Sequence, residues 1–333
     1  MDLSKRKLVV GGWFVMQAML AVVARADEVV TDHVFAPNSF WYSQIPVDAP
    51  LHPNSAGFTA DFLRQKKAYY NTVNIQTSDY ASPVYTVGTD VPTVKVRQWD
   101  CHKNGLTDPA LAEQWAAVPI PAYAQPSKGT DGEMTIYQPS TQTVWEFWQT
   151  RKIGDQWQAC WGGRLQNAQQ SQGVFPGHYG TTATSLPFLG GQITADELRR
   201  GEIRHAIGIA LVETEAASIY SWPANRSDGL NPNKLPNRIP EGIRFRLDPR
   251  VDVDALPMSR AGKIIAKAAQ KYGFVVWDKS GAIAIRAQNS VSYTALGQPN
   301  PYPELFGGKP NYAVLQGFPW DKLQFLPMHF GKP

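Results

Sequence analysis

The chain has 333 residues, with 32 Lys and Arg against 28 Asp and Glu, a formal net charge of +4 and two cysteines. Four of the basic residues (Lys5, Arg6, Lys7, Arg25) and one acidic residue (Asp2) fall within the first 26, so the remainder carries a formal charge of +1. With no basic run beyond Arg199-Arg200 and Arg204, that balance argues against a nucleic-acid partner, whose phosphates are bound by clustered Lys and Arg.

The charged start Lys5-Arg6-Lys7 leads into an apolar stretch, Leu8 to Val23, broken only by Gly11, Gly12 and Gln17. Ala24-Arg25-Ala26 then offers small residues at the positions a signal peptidase reads. A membrane span needs about 20 predominantly apolar residues, and this run is shorter. The expectation is a signal peptide over 1–26 and a secreted or periplasmic protein, free of the membrane after cleavage. Residues 27–333 are then expected to form a single β-rich domain. In an oxidising compartment Cys101 and Cys160 are expected to pair as a disulfide. The rival is a zinc site with His102, but no C-x-x-C spacing supports it, and no cofactor is expected.

Apolar spacing (Phe58, Phe62, Leu63, Tyr69) predicts a first helix over Asn54 to Tyr70. Asp108-Pro109 opens a short helix through Ala117, with proline in its first turn. Strands follow over Met134 to Gln138, Thr143 to Thr150 and Trp157 to Trp161, read as an antiparallel meander with a turn at Gly154-Asp155. Thr194 and Glu197 form a capping box for a helix that stops at Gly201. Further strands are expected at His205 to Glu213, Ser218 to Trp222 and Ile243 to Leu247. Pro257 to Tyr272 is the longest later helix, and a hairpin is expected about Lys279-Ser280-Gly281. Many short strands with few helices predict a mainly β fold, a jelly-roll-like β-sandwich with peripheral helices.

No Gly-rich phosphate loop, H-E-x-x-H or G-x-S-x-G is present, which argues against nucleotide chemistry, zincin proteolysis and α/β-hydrolase esterase activity. Val144-Trp145-Glu146-Phe147-Trp148 carries the most chemistry. On a strand, Glu146 and Trp148 share one face, so an indole could stack on a sugar ring beside a proton-transferring carboxyl. The competing reading is a core strand whose Glu146 pairs with Arg151 or Arg164. Glycosidases generally need a second carboxyl, and Gly129-Thr130-Asp131-Gly132-Glu133 supplies Asp131 or Glu133, with Asp131 preferred. A lyase variant would use His178 and Tyr179 for proton transfer and Arg164 or Gln138 to neutralise a uronate. Trp222 and Arg226, in a polar loop, are candidates for lining a sugar subsite.

The runs GTDGEMTIYQPSTQTVWEFW, WGGRL, TATSLPFLGGQIT, WPANRSDG and IPEGIRFRLDP resemble those of a family of secreted bacterial proteins of uncharacterised activity. The resemblance covers most of the chain beyond the leader. It implies a secreted single unit and carries over no catalytic residue; Cys101 and Cys160 lie outside its pattern. The functional expectation is a secreted polysaccharide-active enzyme, hydrolase or lyase, acting on a poly- or oligosaccharide. The alternative is a non-catalytic carbohydrate-binding or cell-envelope protein.

Overall fold

Gly and Pro interrupt nearly every apolar run, so the elements are short. The computed structural model describes residues 33–333, and the leader expected over 1–26 lies outside them. In chain order, α1 (Ser55–Ala68) precedes β1 (Asn74–Gln76), β2 (Val84–Thr86), β3 (Arg97–Gln98) and α2 (Pro109–Gln114). Then come β4 (Met134–Gln138), β5 (Thr143–Trp148), β6 (Arg151–Ile153), β7 (Gln156–Ala159) and β8 (Trp161–Leu165). α3 (Phe188–Gly191), α4 (Ala195–Arg200), β9 (Ile207–Leu211), β10 (Arg244–Leu247) and α5 (Arg260–Lys271) follow. The last strands are β11 (Phe274–Lys279), β12 (Ala284–Arg286) and β13 (Leu323–Phe325).

The helices start where side chains can satisfy their first amides. Asp108 accepts from the amides of Ala110 and Leu111, and Ser259 accepts from that of Gly262. The reciprocal capping box of Thr194 and Glu197 opens α4, and Gly201 closes it in the left-handed conformation.

Three mixed sheets frame the molecule, with few helices. The first has the order β1-β12-β9-β11-β10-β13, the second β2-β4-β5-β8, and the third β3-β7-β6. The pairs β1–β12, β9–β11, β2–β4 and β3–β7 are parallel. A jelly roll is antiparallel throughout, so these pairs depart from the expected arrangement, and the sandwich is not confirmed either.

Two local expectations also change. The strand expected over 157–161 is divided: β7 pairs with β6 across the Gly154-Asp155 turn, while β8 returns to β5. The hairpin expected about Lys279-Ser280-Gly281 does not close, because β9 lies between β11 and β12. Ser280 instead donates its amide to the Leu211 carbonyl. Ser218 to Trp222 is irregular rather than a strand: the amides of Ile219 and Ser221 donate to the carbonyls of Ala216 and Glu241, and that of Trp222 donates to His329 Nδ1.

Strand alternation sorts side chains into distinct cores. Ile207, Ile209, Phe274 and Val276 of the six-stranded sheet pack with Phe62 of α1 and Ile265 of α5. From its other face, Ala210, Val275 and Trp277 join Tyr137, Val144 and Leu165 of the four-stranded sheet, around Trp41 and Phe188. The opposite face of that second sheet buries Ile136, Trp145 and Phe147 against Trp115 beside α2. Each such large side chain contributes about 1.5–3 kcal/mol on burial, so these contacts fix the sheets beneath the site.

Cys101 and Cys160 form a disulfide, with Cα atoms 5.6 Å apart, which ties the loop after β3 to the residue before β8. Among the described residues, no helix is long and apolar enough to cross a membrane.

Candidate functional site

A cleft of about 670 Å³ opens where the ends of β5, β8 and β11 meet the loop that the disulfide anchors. Register creates its aromatic wall: Trp148, the last residue of β5, lies directly opposite Trp161, the first of β8. Both indoles line the cleft. Trp148 donates its Nε1 hydrogen to Asp131 Oδ1 at 3.2 Å, which fixes that carboxylate at the wall. Trp161 stacks with the rings of His178 and Tyr179, at centroid distances of 5.6 and 5.8 Å.

The acidic wall comes from two directions. Asp131 and Glu133 flank Gly132, whose φ of 47° is a left-handed conformation that favours glycine. Both acids line the cleft. Glu133 is only 2% exposed. Its Oε1 accepts from Arg286 Nη1 at 2.6 Å, while its Oε2 is buried without a hydrogen-bond partner. From the other sheet comes Asp278. The β9–β11 register shifts between Val276 and Asp278, a bulge of the kind that re-aims side chains near functional sites. Asp278 lines the cleft and keeps 18% of its side chain exposed, with Oδ2 3.6 Å from Arg286 Nη2.

Arg286 therefore stands between carboxyls from two sheets. Its guanidinium lies 4.5 Å from the Phe188 ring centroid and 5.8 Å from that of Trp277. Burial drives the Glu133 carboxyl up to about 7; Arg286 opposes the rise, and Asp131 and Asp278 add to it. Burial likewise raises Asp278 to about 6, with Arg286 opposing and Asp228 reinforcing. Both carboxyls are thus held above the ordinary carboxyl range by burial, against the pull of Arg286.

The expected site residues divide sharply. Asp131, Trp148 and Arg226 line the cleft. Arg226 is engaged there, donating from Nη2 to the carbonyls of Gly180 and Thr182 and from Nε to Ser185 Oγ. His178 and Tyr179 do not line the cleft but contact two residues that do, Trp161 and Asp108. Tyr179 donates to Asp108 Oδ2 at 3.1 Å, and His178 Nε2 lies 3.6 Å from the same oxygen.

Glu146 is corrected. It is fully buried and does not reach the cleft. Its Oε1 accepts the Phe188 amide at 2.6 Å, at the start of α3, and its Oε2 accepts the Thr181 hydroxyl at 2.8 Å. The alternation with Trp148 stands, but two residues along a strand is about 6.6 Å deeper, and Thr181 and Phe188 close that depth. No basic partner is needed, since burial outweighs the three donors of Thr181, Phe188 and Leu189 and pushes this carboxyl up to about 8.

Three other candidates also lie outside the cleft. Trp222 packs its ring against Phe40, at 5.5 Å between centroids. Gln138 sits at the far end of β4, bonded to the Gly88 carbonyl and the Thr141 hydroxyl. Arg164 pairs in register with Trp145, on the sheet face away from Trp148. Neither Arg164 nor Gln138, the uronate-neutralising candidates for a lyase, lines the cleft.

Asp278 and Arg286 were not legible as site residues. Each is a charged residue at the end of an apolar run, FVVWD and AIAIR, and that was the only signal available. Among the described residues, Cys101, His102 and Cys160 are grouped closely enough to ligate a metal, their ligand atoms within 4.8 Å of one another. The disulfide, however, occupies both sulfurs.

Compared with family models, curated proteins and solved structures, the chain finds no match.

Proposed function

We propose that the protein is a secreted glycan-active enzyme, a glycoside hydrolase working in the cleft between Trp148, Trp161 and the acids of β11 and the 131–133 turn. The observation that carries the proposal is the pairing of a two-indole wall with Glu133 and Asp278, carboxyls raised to about 7 and about 6. Indoles stack on the apolar faces of pyranose rings. A carboxylic acid that stays protonated near neutral pH is what departure of a glycosidic oxygen needs, and a second carboxyl then activates water or attacks the ring.

In this reading Asp278, the more accessible of the two raised acids, is the general acid and Asp131 the partner carboxyl. Glu133 and Arg286 position Asp278 and set its proton affinity. Aromatic walls alone would also serve a purely binding protein; the buried, proton-holding acids beside them favour catalysis over that alternative.

The test is product analysis with a panel of soluble glycans, comparing the full chain with D278N and D131N. Loss of a general acid or base removes about 10²–10⁴-fold of rate, so each variant is expected to lose at least a hundredfold while still binding glycan. Full activity in D278N would remove it from the mechanism. Glycan binding without any cleavage by the native chain would establish the binding-protein alternative.

A further inference from the structure

Glu146 is a buried titratable group that the chemistry above leaves unused, and its surroundings decide its protonation. Fully buried on β5, it lies opposite Thr135 of β4 and Gly163 of β8, neither of them charged. α3 brings it two backbone amides, and the loop before α3 brings one hydroxyl. The charged group that acts on it is another acid, Glu133. Arg286, 4.5 Å from the Phe188 ring centroid, gives its hydrogen to Glu133 and approaches Asp278 instead. A carboxyl sealed from water without a cationic partner keeps its proton rather than bear the cost of desolvated charge.

Geometry places that proton. Oε1 accepts the Phe188 amide at 2.6 Å and the Leu189 amide at 3.4 Å, so it is the acceptor oxygen. Oε2 faces the Thr181 hydroxyl at 2.8 Å, and a hydroxyl both donates and accepts, so this contact holds in either direction. With Oε2 protonated, the carboxyl donates to Thr181 Oγ, and the Thr181 hydrogen is released from Glu146. With Oε2 ionised, the carboxylate takes that hydrogen back. Thr181 also lines the cleft, and Ala183, two residues on, donates its amide to Asp278. The released hydrogen therefore belongs to a residue of the cleft wall, on the loop that holds Asp278.

We propose that Thr181 donates its hydroxyl hydrogen to an oxygen of the sugar held in the cleft, and that Glu146 is the positioning residue that frees it to do so. This rests on the glycan-directed reading above and adds a contact residue and its control. Burial sets the changeover of the carboxyl at about 8. Below that pH Thr181 is a donor to the sugar; above it the ionised carboxylate reclaims the hydrogen and the contact is lost. A glutamine at 146 donates from its nitrogen to Thr181 Oγ at every pH, which removes the changeover.

The experiment has two arms. Infrared difference spectra of the full chain without ligand, native minus E146Q, isolate the Glu146 carboxyl between about pH 6 and about pH 9. The band of a protonated carboxyl is expected at the acid end, with its loss near 8. A carboxylate band already present at the acid end overturns the proposal. Calorimetric titration with cello-, xylo- and manno-oligosaccharides then measures affinity at both ends of the range. At the acid end T181V is expected to bind the preferred oligosaccharide about three- to tenfold more weakly, the loss of one hydrogen bond, and T181S to recover most of it. Toward the alkaline end the native chain is expected to lose affinity by a larger factor than E146Q. Glu133 and Asp278 are common to both, so the difference belongs to Glu146. Undiminished affinity in T181V, or equal alkaline losses in the native chain and E146Q, overturns the proposal and leaves a glycan-active cleft standing. Absence of binding to every oligosaccharide overturns the glycan reading and the proposal with it.

Discussion

Glu146 shows how a single side chain can be read correctly for its face and wrongly for its depth. Its carboxyl replaces the solvent that the first amides of α3 would otherwise need, and its burial favours the neutral form. A glutamine in its place can still accept the Phe188 amide through one oxygen and donate to the Thr181 hydroxyl through its nitrogen. E146Q is therefore expected to fold with stability within about 1 kcal/mol of the native chain near neutral pH. It should also outlast the native chain as pH approaches 8, because it has no charge to bury. E146A strands the Phe188 amide and opens a void, at an expected cost of about 2–4 kcal/mol. Urea unfolding of the three proteins at two pH values measures this; an E146Q as unstable as E146A would show that the charge, not the acceptor, matters. The sequence could announce a carboxyl beside an indole, but what covers it comes from residues 181 and 188, which nothing local to β5 encodes.

At the scale of elements, what was legible followed from local chemistry. The helix over Ser55–Ala68, the capped α4 and the strand pair β4–β5 are dictated by spacing, caps and alternation within a few residues. What was not legible depends on distant partners: β9 entering between β11 and β12, and Arg286 reaching from one sheet to the 131–133 turn of the other. Sequence proximity made a hairpin the natural expectation for β11 and β12, whereas the parallel β9–β11 pairing is set by packing across a gap of more than 60 residues. Arg286 makes that long-range order testable. Removing one member of a buried ion pair typically costs about 3–5 kcal/mol, while replacing both by apolar groups is often close to neutral. R286M alone is expected to lose stability in that range and to abolish glycan cleavage. The double variant R286M/E133M should recover at least half of the stability and none of the activity, as read by denaturant unfolding and product analysis. A double variant no more stable than R286M would mean that Asp278, not Glu133, is the main partner of the guanidinium.

For the whole molecule, the buried carboxyls fall into two groups that act in opposite directions on stability. Burial raises Asp278 to about 6, Glu133 to about 7, and Glu146 and Glu241 to about 8. Their contribution to folding is complete below the ordinary carboxyl range and is lost as pH climbs through those values, because each must then be ionised in a poorly solvated place. A second group is held down. The Arg250 hydrogen bond lowers Asp248, and in Glu197 the effect of burial is outweighed by His205 and the donors of Thr194. That group's contribution is complete above the ordinary range and is lost as pH falls below it. The two trends meet between about pH 4.5 and 6, where the melting temperature is expected to be highest, falling toward pH 8 and again toward pH 3. Activity should follow the alkaline side of the same profile, since a general acid at Asp278 is protonated below about 6 and progressively lost above it. Scanning calorimetry across pH 3–8, repeated on E146Q, separates the contributions: the variant should fall less steeply on the alkaline limb and identically on the acid one. A melting temperature that rises steadily from pH 5 to 8 would mean these carboxyls are ionised at little cost, and with that the proton-holding acids on which the hydrolase rests would be gone.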